Sequence, residues 1–144
     1  MIRKANLTDL PVLTELILER YPHYAADKTY YDLGMTMVAA ESVFFLAFSE
    51  EKAVGYAQCQ LRHDLVEGTE TSPVGYLEGI YVKAEYRTQG HASRLMEACE
   101  KWAKAEGCIE FAGNCEVHDE EGHKFYTKLG FKEVKRIVCF AKSL

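Results

Sequence analysis

The 144-residue chain carries a net charge of −5 and is 48% apolar, which suits one domain, 1–144, with an ordinary core. The acidic balance argues against a nucleic-acid partner, and no apolar run is long enough to cross a bilayer. Five cysteines without a C-x-x-C pair point away from a disulfide framework or zinc site, and toward a reducing cytoplasm where most are small core side chains.

In chain order, Met1-Ile2-Arg3-Lys4 lacks a signal-peptide apolar region, and Ile2–Asn6 reads as a first strand. Thr8 is the expected N-cap of a helix whose stripe, Leu10, Leu13, Leu16, Ile17 and Arg20, is ended by Pro22. Residues Lys28–Ala40 predict a second helix with Tyr31, Met35 and Val38 on one side. Two strands, Val43–Phe48 and Val54–Leu61, flank Ser49-Glu50-Glu51-Lys52 as a hairpin. Asp64–Pro73 is a polar loop, and Gly75–Val82 a strand. Ala92, Leu95, Met96, Cys99, Trp102 and Ala103 have helical spacing, closed by Gly107. A strand at Ile109–Cys115, a helix at Glu120–Lys128 ending at Gly130, and a final strand or hairpin arm at Phe131–Lys142 complete the chain. No repeat or linker divides it.

The most informative stretch is Leu77-Glu78-Gly79-Ile80-Tyr81-Val82 followed by Arg87-Thr88-Gln89-Gly90-His91-Ala92-Ser93. It reads as a strand, a short loop and a helix start. A helix start offers unpaired N–H groups and the positive end of a dipole, and Gly90 lets an anion approach them. The stretch is neither a Walker loop nor a dinucleotide fingerprint, each of which needs further glycines. Gly79 in mid-strand predicts a bulge or a close backbone approach. Glu78 is either an outward strand carboxylate in a surface ion pair or a base beside a cleft. Tyr126 is either a helix-face aromatic or a phenol able to protonate a leaving thiolate, since its ordinary pKa of about 10 lies above a thiol's. Arg87 is a forked phosphate donor or a solvated loop residue. His118 and His123 are five apart with no third ligand in view, so no metal is expected. Ser72 lacks a nucleophile elbow.

The Arg87-x-x-Gly90-x-Ala92 pattern, with Lys124-Phe125-Tyr126-Thr127-Lys128-Leu129-Gly130-Phe131 downstream, resembles the acetyl-CoA loop and the closing segment of the GCN5-related N-acetyltransferases. That resemblance implies an α/β (α+β) single-domain acyltransferase fold, a mixed central sheet flanked by helices in the order β-α-α-β-β-β-α-β-α-β. It implies acetyl-CoA as co-substrate, held at Arg87–Ser93 (Arg87, Thr88, Gln89, Gly90, His91, Ala92, Ser93), along Ile80, Tyr81 and Val82, and at Asp119. It makes Glu78 and Tyr126 the catalytic pair.

The block from Arg62 to Val82, containing Gly68-Thr69-Glu70-Thr71-Ser72-Pro73-Val74-Gly75-Tyr76-Leu77-Glu78-Gly79-Ile80-Tyr81-Val82, is similar to the small aminoglycoside 6′-N-acetyltransferases. By that likeness Glu78 meets the drug's 6′-amine, the acidic loop Asp64, Glu67 and Glu70 attracts the polycation, and Tyr21, Leu65, Asn114 and Lys135 occupy drug-contacting positions. The subgroup usually has Trp, Tyr, Asp and Glu at those last four, and Asn at Asp119. A homodimer is implied, with Ile137–Ala141 offering an edge for pairing. Two other functions stand beside this one: acetylation of another amine, such as a polyamine or a protein amine, and non-catalytic acyl-CoA binding. The presence of both Glu78 and Tyr126 speaks against the last.

Overall fold

The apolar runs of the first half become strands buried on both faces, which is why they read as nearly continuous rather than alternating. The computed structural model describes residues 1–144. Ile2–Lys4 forms β1, Ser42–Ser49 β2, Lys52–Arg62 β3, Val74–Val82 β4 and Phe111–Ala112 β5. They lie in one sheet in chain order, antiparallel except for the parallel β4–β5 pair. Leu10–Arg20 (α1), Ala26–Met37 (α2), His91–Ala105 (α3) and Glu120–Lys128 (α4) are the helices.

Each face of the sheet has its own core. Val43, Ala47, Val54, Cys59, Leu77 and Val82 pack under Leu95, Met96 and Cys99 of α3. Phe44, Leu46 and Tyr56 face Leu10, Leu13 and Leu16 of α1 and Leu33 of α2. Cys59, Cys99 and Cys108 are buried free thiols, as expected of small core side chains, whereas Cys139 is exposed. The β2–β3 turn is the expected hairpin: Ser49 pairs with Lys52, and Glu50 takes a left-handed φ of 56°.

Four expectations need correction. The cap before α1 is Asn6, not Thr8. Asn6 Oδ1 accepts from the Thr8 amide at 2.9 Å, the Asn6 amide donates in turn to Asp9 Oδ2 at 2.9 Å, and a 3₁₀ turn precedes the helix. Helix α2 does not bury Tyr31, Met35 or Val38; Tyr31 is 67% exposed. Its phase is set by Leu33 and Met37, four apart, which reach the core, while Gly34 passes within contact distance of Leu10 on α1. Strand β5 is two residues long rather than seven. Finally, residues 132–144 make no backbone hydrogen bond and form no strand, so the element order closes on α4. Phe131 packs edge-on against Phe111 and Tyr126, and the chain then leaves the sheet. Its apolar run Ile137–Ala141 finds no partner strand in its own chain, and Phe140 is 92% exposed.

Asp9 joins β1 to the start of α1. Arg3 donates to both its oxygens at 2.7 Å, holding the carboxyl below its ordinary range. A depressed folded value contributes stability above the unfolded pKa of about 4 that is lost as pH falls through the folded value. Asp9→Ala is therefore expected to lose about 1–2 kcal/mol at pH 7, since Arg3 is partly in water. Urea unfolding measures this, and the gap from wild type should narrow below about pH 4.

Candidate active site

The site begins where β4 loses one neighbour. Strand β3 accompanies β4 along its length, but β5 pairs only with Gly75 and Tyr76. From Leu77 to Val82 no strand pairs with the other edge of β4, and its alternate N–H and C=O groups face outward. The ladder with β3 shifts register between Gln58 and Cys59, opposite Leu77 and Gly79, so that Glu78 is the extra residue. The bulge anticipated from Gly79 is thus centred on Glu78. A bulge bends its strand and re-aims one side chain. Gly79 leaves room beside it: a Cβ there would meet Arg20 Nη1 at 3.0 Å.

Glu78 is not alone. Arg62, the last residue of β3, donates from Nε to one carboxylate oxygen at 2.9 Å and from Nη2 to the other at 3.0 Å. The same guanidinium lies 3.6 Å from the centroid of the Tyr76 ring. Arg20, at the end of α1, stands beside the buried Tyr56 phenol, whose pKa burial raises. Tyr21 follows, stacked on Tyr24 at 4.7 Å with the Arg20 guanidinium over its ring at 4.8 Å.

Beyond β4, a 3₁₀ turn at Ala84–Tyr86 leads into Arg87, Thr88 and Gly90. Thr88 and Gly90 both take left-handed φ, 63° and 84°, a conformation costly for threonine that clusters at ligand sites. Arg87 donates Nε to the Val82 carbonyl at 2.9 Å and so braces the strand end against the loop. No side chain caps α3, and its first turn holds no acid. The amides of His91, Ala92 and Ser93 therefore stay available to an anion. Arg94 overhangs this start: its Nη1 lies 2.7 Å from where a Gly90 Cβ would sit, and Nη2 donates to the Gln89 carbonyl at 3.2 Å. His91 is buried beneath; desolvation and then Arg94 lower its pKa, keeping the imidazole neutral in this positive setting. This donor set fits a polyphosphate with an extended amide chain leading to Glu78.

Tyr126 of α4 packs between Phe125 and Phe131, and burial raises its pKa well above the ordinary phenol value. It stays protonated at neutral pH, able to donate. Its hydroxyl donates to the Asn114 carbonyl at 3.3 Å. A Cβ on Gly113 would strike that hydroxyl at 2.3 Å, so the glycine keeps its place open. Asp119 caps α4, accepting from the Gly122 amide at 2.9 Å. Asn114 is exposed just past β5, and Leu65 stands in solvent at 85% exposure. Lys135 does not reach Glu78; it pairs with Glu67 at 2.7 Å, while Val134 lies over Gly68.

Arg62, Arg94, Arg20 and Gly113 are site residues that sequence reasoning missed. Arg94 had a signal, its position four after Gly90 at a helix start. Gly113 sits in a short apolar strand pattern, where glycine marks a close approach. Arg62 and Arg20 had none, because only strand register and the end of α1 bring them to β4. Gly90→Val combines a strained φ with a collision at Arg94. The expected outcome is at least a tenfold rise in the Kd of acetyl-CoA in calorimetry, and unchanged affinity would contradict the cradle.

Comparison with known proteins agrees with this geometry. Residues 10–131 match the acetyltransferase (GNAT) family. The chain is 37% identical over 144 residues to an aminoglycoside N(6′)-acetyltransferase type 1 of Stenotrophomonas maltophilia, covering 99% of this chain and 93% of that protein. Among solved structures it is similar to AAC(6′)-Iy in complex with the bisubstrate analogue CoA-S-monomethyl-acetylneamine, at TM-score 0.96 and 31% identity, covering 100% and 98% of the two chains. The apo aminoglycoside 6′-N-acetyltransferase AAC(6′)-IG of Acinetobacter haemolyticus gives 0.91 and 32%, with 100% and 99% covered. With the glycine loop, the open β4 edge and the Tyr126 segment all inside the matched span, the chain belongs to the GNAT family of acetyltransferases.

Proposed function

We propose that the protein transfers the acetyl group of acetyl-CoA to the 6′-amine of an aminoglycoside. The observation that carries this reading is the position of Glu78, raised on a bulge where the free edge of β4 begins and in line with the helix-start cradle. The relatives named above act on that class of amine, and their likeness extends over the whole chain.

Acetyl-CoA supplies an activated thioester, and the chain's residues do the rest. The amides of His91, Ala92 and Ser93, with Arg94 above them, hold phosphate at the positive end of α3. Outward groups of Ile80 and the Val82 N–H pair with the amide-bearing arm of the co-substrate, the Val82 carbonyl being held by Arg87. An acceptor amine, with a solution pKa of about 10.4, arrives as ammonium and must shed a proton before it can attack. Glu78 attracts the ammonium and accepts its proton directly or through one water. Tyr126 keeps its proton for the departing sulfur. The new C–N bond replaces the C–S bond, and the proton balance closes between Glu78, Tyr126 and solvent.

One anion of the acidic loop on the acceptor side is offset within the chain. Glu67 of the acidic loop is neutralised by Lys135. Glu110 spends Oε1 on the Glu70 and Thr71 amides, tying the loop to the entry of β5. Tyr21, Leu65 and Asn114 complete the acceptor surface in this reading, with fewer charges than the related enzymes usually present.

The same reading extends to assembly and place. The chain is one acetyltransferase domain, 1–144, acting as a homodimer in the cytoplasm. The apolar arm 132–144 pairs with no strand of its own chain, and strand β5 has a free edge beyond its pairing with β4. Five unpaired thiols suit a reducing compartment. No helix is long and apolar enough to cross a membrane.

Two outcomes follow. With kanamycin, mass spectrometry should place one acetyl group on the 6′-amine, while a 6′-hydroxyl analogue should give no product. Acetylation of the analogue at another amine, or reaction only with spermidine or a peptide, would move the assignment to another amine acetyltransferase. Light scattering should give about twice the 16.4 kDa chain mass, falling to the monomer when residues 132–144 are removed. A full-length monomer would overturn the dimer.

A further inference from the structure

Arg62 occupies the position that matters most for a cationic acceptor, and nothing in the reaction as described uses it. It ends β3 opposite Val74 and shares a sheet face with Tyr76. Its fork takes one lone pair on each Glu78 oxygen, with N···O distances of 2.8 to 3.0 Å. The Tyr76 ring, 3.6 Å from the guanidinium carbon, fixes its plane. Arg62 is 40% exposed and Glu78 21%, so the pair lies at the mouth of the site rather than in the core. A carboxylate has about four lone-pair positions, and the fork leaves about two. An ammonium must use those two or displace the arginine, and in either case it meets a like charge.

We propose that Arg62 is a positioning and selectivity residue, a fixed cation that orients Glu78 toward the acceptor and competes with the acceptor's ammonium for it. The two effects are separable. The fork immobilises a side chain with three rotatable bonds, which serves turnover by holding the accepting oxygen in one place. The positive charge opposes the arriving cation, which weakens acceptor binding. Selectivity follows from the competition: an amine on a bulky scaffold anchored elsewhere reaches Glu78 despite Arg62, whereas a small free cation such as ammonium does not hold there. The proposal rests on Glu78 being the acceptor carboxylate, as argued above.

The test is a set of Arg62 variants assayed at saturating acetyl-CoA by thiol release, with kanamycin and spermidine as acceptors. Arg62→Gln removes both charge and fork, and it should lower kcat at least tenfold while lowering the KM of the reactive acceptor about threefold or more. Arg62→Lys restores charge without the planar fork, so KM should return toward wild type while kcat stays low. A merely structural arginine would not divide KM from kcat in this way. In Glu78→Gln the further change Arg62→Gln should add little, because the two act as one unit. Unchanged kinetics in Arg62→Gln, or a raised KM at unchanged kcat, would overturn the proposal.

A readout independent of turnover is the Arg62 Nε–H resonance in ¹⁵N spectra, identified by its absence in Arg62→Lys. It should be sharp and shifted downfield in the free protein and return to the solvated position in Glu78→Gln. It should also move when an acceptor is added. A resonance indifferent to Glu78→Gln would overturn the Arg62–Glu78 pairing as the latch on the carboxylate even if no amine were turned over. A Glu78-dependent resonance in a protein inactive toward every amine would leave the latch standing and remove the acceptor reading.

Discussion

The site depends on one mismatch in a sheet. Strand β5 pairs with β4 for two residues and then parts from it, while β3 stays in register except at one extra residue. The first departure frees backbone groups that elsewhere in a buried sheet would have to be paired. The second turns Glu78 out of the ladder at the point where those groups begin. A carboxylate, an open strand edge and a helix start are then adjacent without any loop carrying the chemistry. The cores on the two sheet faces, under α3 and under α1, make the strands rigid enough for that adjacency to persist.

Charge on this framework is arranged against expectation. The net charge is negative, yet the group in direct contact with Glu78 is an arginine, Arg62, and a second arginine, Arg20, stands beside the next residue, Gly79. The cradle end is positive as its anionic occupant requires, through the α3 dipole, Arg94 and a neutral His91. The acceptor end mixes signs. In the proposed reading Glu78 draws the cationic amine while Arg62 opposes it, so orientation as well as attraction decides which amine reaches that carboxylate.

Local patterns in the sequence were legible where local physics decides. Gly90 and Gly107 take the left-handed conformations their positions demand, and α4 runs over the expected residues because Asp119 caps it and Gly130 ends it. The bulge was readable from a glycine inside a strand, although its extra residue is Glu78. The misses share one cause, dependence on distant partners. The phase of α2 follows Leu33 against α1, not the Tyr31, Met35, Val38 stripe. The arm 132–144 has a strand-like apolar run at Ile137–Ala141 but no strand beside it. Arg62 reaches Glu78 only because β3 and β4 are in a register that places Gln60 opposite Tyr76. Lys135 meets Glu67 across 68 residues of sequence.

The most direct test replaces Glu78 by Gln, which keeps shape and removes charge and basicity. Acetyl-CoA affinity by calorimetry should be unchanged, because the cradle lies along the free edge and at α3, while turnover of the 6′-amine should fall about 10²–10⁴-fold. Full turnover in Glu78→Gln, or loss of acetyl-CoA binding together with activity, would contradict the assignment of the bulged carboxylate to the acceptor amine.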